Sequence, residues 1–377
     1  MSFSKILLSS PHMGGGELKY IQEALNSNWT APEASIIDLF EEDLECYLRK
    51  GHVTALNSGT AAIHLGLILL GVQPGDIVIC QTMTFSASAN PILYLGATPV
   101  FIDSEIETYN LCPIALEEAI LDCIQSGKKP KAIIAVHLFG TPYKITEIRN
   151  VADKYGIPIL EDSAEALGSS YKGQMCGTFG DIGVLSFNDN KIITTSGGGA
   201  LITKNKKVKE KSIFLATQAK DKAPHYQHSE IGYNYRLSTI CAGIGRGQME
   251  VLEEHLVLKN IVHQFYIDLF KSIKGVTVYE VPDDNFTSNY WLTTIIIDPL
   301  QTNGIDKEML RLALLQANIE SRPLWKPLHL QPVFNKYKYY GSNVAQKLFE
   351  VGLCLPSGPI LSNADKDRIR NVVFNIF

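Results

Sequence analysis

Three short stretches carry residue types that could act together. The first is Leu185-Ser186-Phe187-Asn188-Asp189-Asn190-Lys191, followed by Thr194-Thr195-Ser196-Gly197-Gly198-Gly199. A loop lysine is ordinarily solvated. Lys191 instead lies between an apolar run and a glycine-rich turn, where the backbone can approach closely. A lysine in a partly desolvated pocket can lose its proton near neutral pH and attack an aldehyde. The second stretch is Ile159-Leu160-Glu161-Asp162-Ser163-Ala164. An acidic pair at the carboxyl end of a buried strand stands where α/β proteins place ligands. Two readings of Asp162 are open: the cap of a following helix, or a carboxylate that keeps a pyridine nitrogen protonated and so improves the ring as an electron sink. The third is Asn57-Ser58-Gly59-Thr60, opening a helix after an apolar run. Free N–H groups at a helix start attract an anion, and the hydroxyls of Thr60 and Ser186 could reach the same one. Such turns also serve as plain crossovers in α/β folds.

These stretches need a scaffold that brings their ends together. From residue 52 to about 203, short apolar runs alternate with helical patterns, which predicts an α/β layered domain. The strands are expected at Val53–Leu56, Ile77–Cys80, Thr98–Ile102, Ala132–His137, Pro158–Glu161, Gly183–Phe187 and Ala200–Thr203. Helices are expected at Thr60–Leu70, stopped by Gly71, and at Thr146–Tyr155. After Gly232 the pattern changes to one long helix, Ile240–Ser272. A smaller α+β domain follows, with strands Thr277–Glu280 and Trp291–Ile297, a polar loop Pro282–Ser288 and a helix near Asp306–Ala317. The division falls into a large domain, residues 1–245, and a small one, residues 246–377.

The whole-chain properties exclude several classes. With 377 residues, 19% charged and a net charge of −5, the chain has no basic stripe for nucleic acid; the run Lys204–Lys211 reads as a solvated helix start. No apolar run is long enough to span a membrane, and Met1–Ser10 lacks a secretory signal pattern. Seven scattered cysteines without CxxC spacing read as free thiols in a reducing cytoplasm. His225 and His228 have no further ligands at metal-site spacing, so no metal is expected.

The order Ser-Gly-Thr, then strand-Glu-Asp, then Ser-Phe-x-x-x-Lys before Thr-Thr-Ser-Gly-Gly-Gly resembles the DegT/StrS family of sugar aminotransferases. The likeness runs from Ser10-Pro11-His12-Met13 through Asn28-Trp29-Thr30-Ala31-Pro32 to Leu355-Pro356-Ser357-Gly358. It implies the aspartate-aminotransferase-like fold (fold type I), with a mixed, mostly parallel sheet and a smaller C-terminal α+β domain. It implies pyridoxal 5′-phosphate as cofactor and Lys191 as the Schiff-base lysine and proton shuttle. Asp162 would pair with the pyridine nitrogen and Phe85 would stack on the ring. Ser58, Gly59, Thr60 and Ser186 would hold the phosphate. Many members have Gln where this chain has Glu165, near the cofactor's phenolic oxygen.

Asn234, in Gly232-Tyr233-Asn234-Tyr235-Arg236, would reach the phosphate of a neighbouring subunit, implying a homodimer with shared active sites. Trp29, Thr30, Arg236, Arg322, Lys326 and His329 would face the nucleotide sugar. Members that dehydrate sugars replace the lysine with His, so keeping Lys191 implies transamination, with glutamate as donor. The wording around Lys191 and at Thr217–His228 is closest to enzymes acting on UDP-4-keto-6-deoxy-N-acetylglucosamine, the bacillosamine branch. GDP- or dTDP-linked keto sugars, a sugar dehydratase and a cofactor-binding regulator remain the alternatives.

Overall fold

The structure, a computed structural model, describes residues 4–26 and 35–377. Its strands are β1 (His52–Leu56), β2 (Ile77–Gln81), β3 (Thr98–Ile102), β4 (Ala132–Val136), β5 (Ile159–Asp162), β6 (Ser170–Tyr171), β7 (Gln174–Met175), β8 (Ile182–Ser186) and β9 (Gly199–Thr203), then β10 (Val276–Val278), β11 (Phe286–Thr287), β12 (Thr293–Ile297), β13 (Arg322–Pro323), β14 (Tyr339–Tyr340) and β15 (Gly352–Leu355). Eight form one sheet in the order β1-β9-β8-β5-β4-β2-β3-β14. Only β9 runs against its neighbours; the other pairings are parallel. A central strand such as Ala132-Ile133-Ile134-Ala135-Val136 is buried at every residue, because helices cover both faces.

Helix α1 (Gly59–Leu69) fills one face with Ile63, Leu65 and Leu67, against Leu56, Leu160 and Leu201. The helices Pro113–Gln125 and Ile145–Tyr155 cover the other with Leu116, Ile120 and Ile148, against Ile79, Ile133 and Ile159. All the parallel strands end on one side. That places the residues after Leu56, Gln81, Asp162 and Ser186 along a single rim, where such sheets bind ligands.

The outer strand β1 would expose N–H groups along its free side. Those groups are taken up instead. Val53 N–H donates to Glu45 and Ala55 N–H to Glu41, each at 2.7 Å, and the two carboxylates stand one turn apart on helix Ile36–Leu48. The opposite edge, β14, is two residues long.

The C-terminal part forms a second sheet, β10-β12-β15-β13, packed on helices Leu252–Phe270, Lys307–Gln316 and Asn363–Ile376 around Tyr266, Ile295, Leu310 and Ile369; Ile6 joins this core from the N-terminal segment. The expected single helix Ile240–Ser272 is two, Thr239–Met249 and Leu252–Phe270, parted at Val251 with φ −112° and ψ 6°. The two serve different partners. In the first, Gly247 lets the backbone of Glu17 approach so closely that a Cβ would sit 2.6 Å from its nitrogen, whereas the second lies under the small sheet. The expected polar loop Pro282–Ser288 contains β11, which pairs with the hairpin β6–β7. Two-residue strands leave no periodic signal.

Candidate active site

A cavity of about 320 Å³ opens at the rim where the parallel strands end. Its walls include Ser58, Gly59, Thr60, Phe85, Asp162, Glu165, Ser186 and Lys191, residues drawn from four separate segments. At one end Ser58 caps α1, its Oγ accepting from Ala61 N–H at 3.0 Å. The first N–H groups of a helix have no partner within it, so they face the cavity end beside Thr60 and Ser186. Gly199 makes this cup possible: a Cβ there would lie 2.4 Å from the Ser58 carbonyl carbon. Any side chain at that position would push the helix start away from β9.

Asp162 closes β5 and is 4% exposed. No helix follows it, so it is not a helix cap; Ser163–Ser169 is a series of turns. Its Oδ2 accepts from Ser88 Oγ at 2.7 Å and its Oδ1 from Ala164 N–H at 3.2 Å. Phe85 is half exposed on the opposite wall, 5.5 Å from Trp325 ring to ring. It is therefore a surface of the cavity and not core packing.

The Lys191 amine lies 3.7 Å from Glu165 Oε1, and the indole of Trp291 lies beneath it with the ring centre at 4.2 Å. Glu165 Oε2 accepts from Phe139 N–H at 2.7 Å. Burial pushes the Glu165 carboxyl up to about 6, against the pull of the Lys191 charge and the Phe139 N–H. The parts suit a planar aromatic aldehyde that carries a phosphate: an anion cup at one end, a carboxylate for a ring nitrogen, an aromatic wall, and a primary amine.

A second cavity, about 570 Å³, adjoins the first and shares Asn190, Trp291 and Trp325 with it. Arg322 lines this one. It is exposed and paired with Glu320 at 2.9 Å. Lys326 is exposed beside Trp325 and lines neither cavity.

Two expected contacts, Arg236 and His329, stand elsewhere. Arg236 turns to helix Ile36–Leu48, where it bonds Glu41, reaches Asp38 at 3.5 Å, and donates to the Ala55 carbonyl at 3.1 Å. Glu41 is 1% exposed, and its buried charge holds the guanidinium there. His329 meets Thr82 Oγ1 at 2.7 Å and stacks on Tyr339 at 3.8 Å. Burial holds its imidazole below the ordinary range, against the charge of Asp103, which makes it a poor partner for a diphosphate. Asn234 is exposed on its own chain, with its carbonyl accepting from Asn57 Nδ2 at 3.1 Å. Trp29 and Thr30 lie outside the described residues.

Among the described residues, one buried cluster has metal-ligand chemistry: His137, Glu161 and Cys176. It is satisfied without a metal. Glu161 accepts from Gly177, Phe179 and Gly180 N–H groups and from His137 Nε2, all at 2.6–2.7 Å. Tyr143 N–H donates to His137 Nδ1 at 3.3 Å, so Nε2 carries the ring proton. His228 is bonded to the Gln218 carbonyl at 2.8 Å.

Sequence reasoning missed Ser88, which braces Asp162, and Trp291 and Trp325, which wall the cavities. The segment Ser288-Asn289-Tyr290-Trp291 carried a signal for the second of these, since a tryptophan beside polar residues at a strand start seldom serves the core alone.

Comparison with known proteins places this geometry in context. Residues 11–374 match the DegT/DnrJ/EryC1/StrS aminotransferase family. The chain is 47% identical to "Putative pyridoxal phosphate-dependent aminotransferase EpsN" of Bacillus subtilis (strain 168), over 99% of this chain and 96% of that one. It is 37% identical to GDP-perosamine synthase of Escherichia coli O157:H7, over 94% and 93%. A solved DegT DnrJ EryC1 StrS aminotransferase from Brucella abortus superposes with a TM-score of 0.87 at 31% identity, covering 95% of this chain and 94% of that one.

Proposed function

The chain belongs to the DegT/DnrJ/EryC1/StrS aminotransferase family and is a pyridoxal-phosphate-dependent sugar aminotransferase; from that premise we propose that it moves an amino group from glutamate to C4 of a nucleotide-linked 4-keto-6-deoxy sugar, UDP-4-keto-6-deoxy-N-acetylglucosamine. The observation that carries this is the meeting of Lys191, Asp162, Phe85 and the Ser58–Thr60 cup in one cavity.

When bound, pyridoxal phosphate supplies the electron sink that makes a carbon-bound proton labile. The chain's own residues do the rest. The N–H groups of the α1 start, with Thr60 and Ser186, would hold the phosphate. Asp162, already oriented by Ser88, keeps the ring nitrogen charged. Phe85 would cover one face of the ring, and Glu165 would stand toward the phenolic side. Lys191 Nζ takes the proton from Cα of glutamate in the first half-reaction and returns one to C4 of the sugar in the second. Arg322, which lines the adjoining cavity beside Glu320, and Lys326, exposed outside both cavities, are the cations we assign to the nucleotide diphosphate. A second copy of the chain completes the site, with Asn234 reaching the phosphate of its partner.

Mass spectrometry of a panel of keto sugars with glutamate tests the substrate. The expected result is an amine on the UDP-linked 4-keto sugar, with 2-oxoglutarate released. Turnover of a dTDP-linked 3-keto sugar alone defeats this reading. A GDP-linked 4-keto sugar is the second reading, favoured by the 37% identity to a GDP-perosamine synthase. Mixing Lys191→Ala with Asn234→Ala chains tests the shared site: some activity returns in heterodimers if Asn234 acts across the interface.

A further inference from the structure

Lys259 is fully buried on helix Leu252–Phe270, has no carboxylate partner among the described residues, and has no part in the chemistry above. Its Nζ donates to two main-chain carbonyls, Trp291 at 2.9 Å and Ser357 at 2.8 Å. Both bonds lead to the same place. The Trp291 indole N–H donates to the Asn190 carbonyl at 2.7 Å. Ser357 N–H donates to the Leu8 carbonyl at 2.7 Å, and the next residue, Ser9, donates its hydroxyl to that same Asn190 carbonyl at 2.9 Å. Asn190 immediately precedes Lys191. One buried amine therefore ties down both donors that fix the main chain at the reactive lysine.

The turn carrying Trp291 is also under strain. Tyr290 has φ 45°, a left-handed conformation that bulky residues avoid. Its surroundings over-determine it. Asn289 Oδ1 accepts from Trp291 N–H at 2.8 Å, while its Nδ2 donates to the Glu165 and Leu167 carbonyls at 2.9 and 2.8 Å. The Tyr290 ring stacks on His263 at 3.6 Å. His263 is one helical turn from Lys259, so one face of one helix grips both the ring before Trp291 and the carbonyl of Trp291 itself. The turn so held carries the Trp291 indole under the Lys191 amine.

We propose that Trp291 and Lys259 are positioning residues for Lys191: the indole seats the reactive amine, and Lys259 holds the indole and the Ser9 segment in register. This rests on the assignment of Lys191 as the reacting lysine. Trp291→Phe keeps the ring but loses the N–H donor; Lys259→Met keeps the bulk but loses both donors. Each is expected to slow capture of pyridoxal phosphate by cofactor-free protein, read as the rise of visible absorbance, by about tenfold. Each is expected to slow the single-turnover reaction with glutamate by about 10–100-fold and to raise the isotope effect with α-deuterated glutamate. The saturation constant for glutamate should move less than twofold. The double variant should be no slower than the slower single one, because both act along one path.

A fall in melting temperature with unchanged capture rate and isotope effect overturns the proposal and leaves Lys259 a plain core residue. Additive losses in the double variant overturn the claim that Lys259 acts through Trp291. If Lys259→Met fails to fold, Trp291→Phe alone decides the matter by the same two readouts. Borohydride trapping on wild type separates the two levels. A label on another lysine sinks the Lys191 assignment, whereas a label on Lys191 with unaltered Trp291→Phe kinetics sinks only this inference.

Discussion

Glu161 and Glu165 lie one on each side of Asp162, both buried, and they live in opposite environments. Glu161 is fully enclosed and accepts four hydrogen bonds at 2.6–2.7 Å. Burial alone would raise its carboxyl, but His137 and the main-chain N–H groups outweigh it and hold the group below the ordinary range. Glu165 has one main-chain donor and the Lys191 amine 3.7 Å away, and its carboxyl is pushed up to about 6. A saturated carboxylate is a bolt in the fold. One with spare acceptor capacity beside a reactive amine can still respond to a ligand. The count of satisfied lone pairs separates the two better than burial does.

The first way to sharpen this contrast is to remove the group that Glu165 faces. Lys191→Ala is expected to reduce transamination by about 10⁴-fold, since it deletes the proton carrier, while the melting temperature stays within a few degrees. Turnover assays with glutamate check it, and near-normal activity would end the distinction. Glu161→Gln should do the reverse. Its carboxamide turns an N–H₂ toward existing donors, so the expected cost is about 3 kcal/mol or more, read by urea unfolding. A stable Glu161→Gln protein would break the comparison at its other end.

Lys259 gives a third case, a buried base. Burial lowers its amine from 10.5 to about 7. Between those values the unfolded chain binds more protons than the folded one, so stability rises with pH from about 7 to about 10. Thermal unfolding across that range should show the rise in wild type and not in Lys259→Met. The smallest effect is expected at Glu165. Its folded carboxyl keeps a proton up to about 6 while the unfolded one loses it near 4.5, so stability falls as pH climbs through that window. Glu165→Gln should flatten that segment of the pH–stability curve and leave the remainder unchanged.

Much of the rim was legible in the sequence. The cup at Ser58–Thr60, the β5 ending at Asp162 and the loop to Lys191 are local objects, each written in a few consecutive residues whose strand or helix limits it marks. Their joining in one cavity follows from parallel strands ending together. What was not legible depends on partners far along the chain. Arg236 looked available because its partner Glu41 lies 195 residues earlier. His329 looked cationic because nothing nearby in sequence announced Thr82 or Tyr339. Trp291 read as a strand residue, and the lysine that fixes it stands on another helix. The break at Val251 was hidden because both helices keep an apolar pattern while changing what they face.

The way β1 ends the large sheet bears on how this chain meets its own kind. With Glu41 and Glu45 occupying the outward N–H groups of β1, and β14 offering only two residues, neither margin presents a ladder on which a further strand could grow. Along these two margins, sheet extension, the usual first step toward fibrous aggregates, finds no long template. Contacts between copies along these two margins therefore run through side chains, whose chemistry limits both partner and orientation.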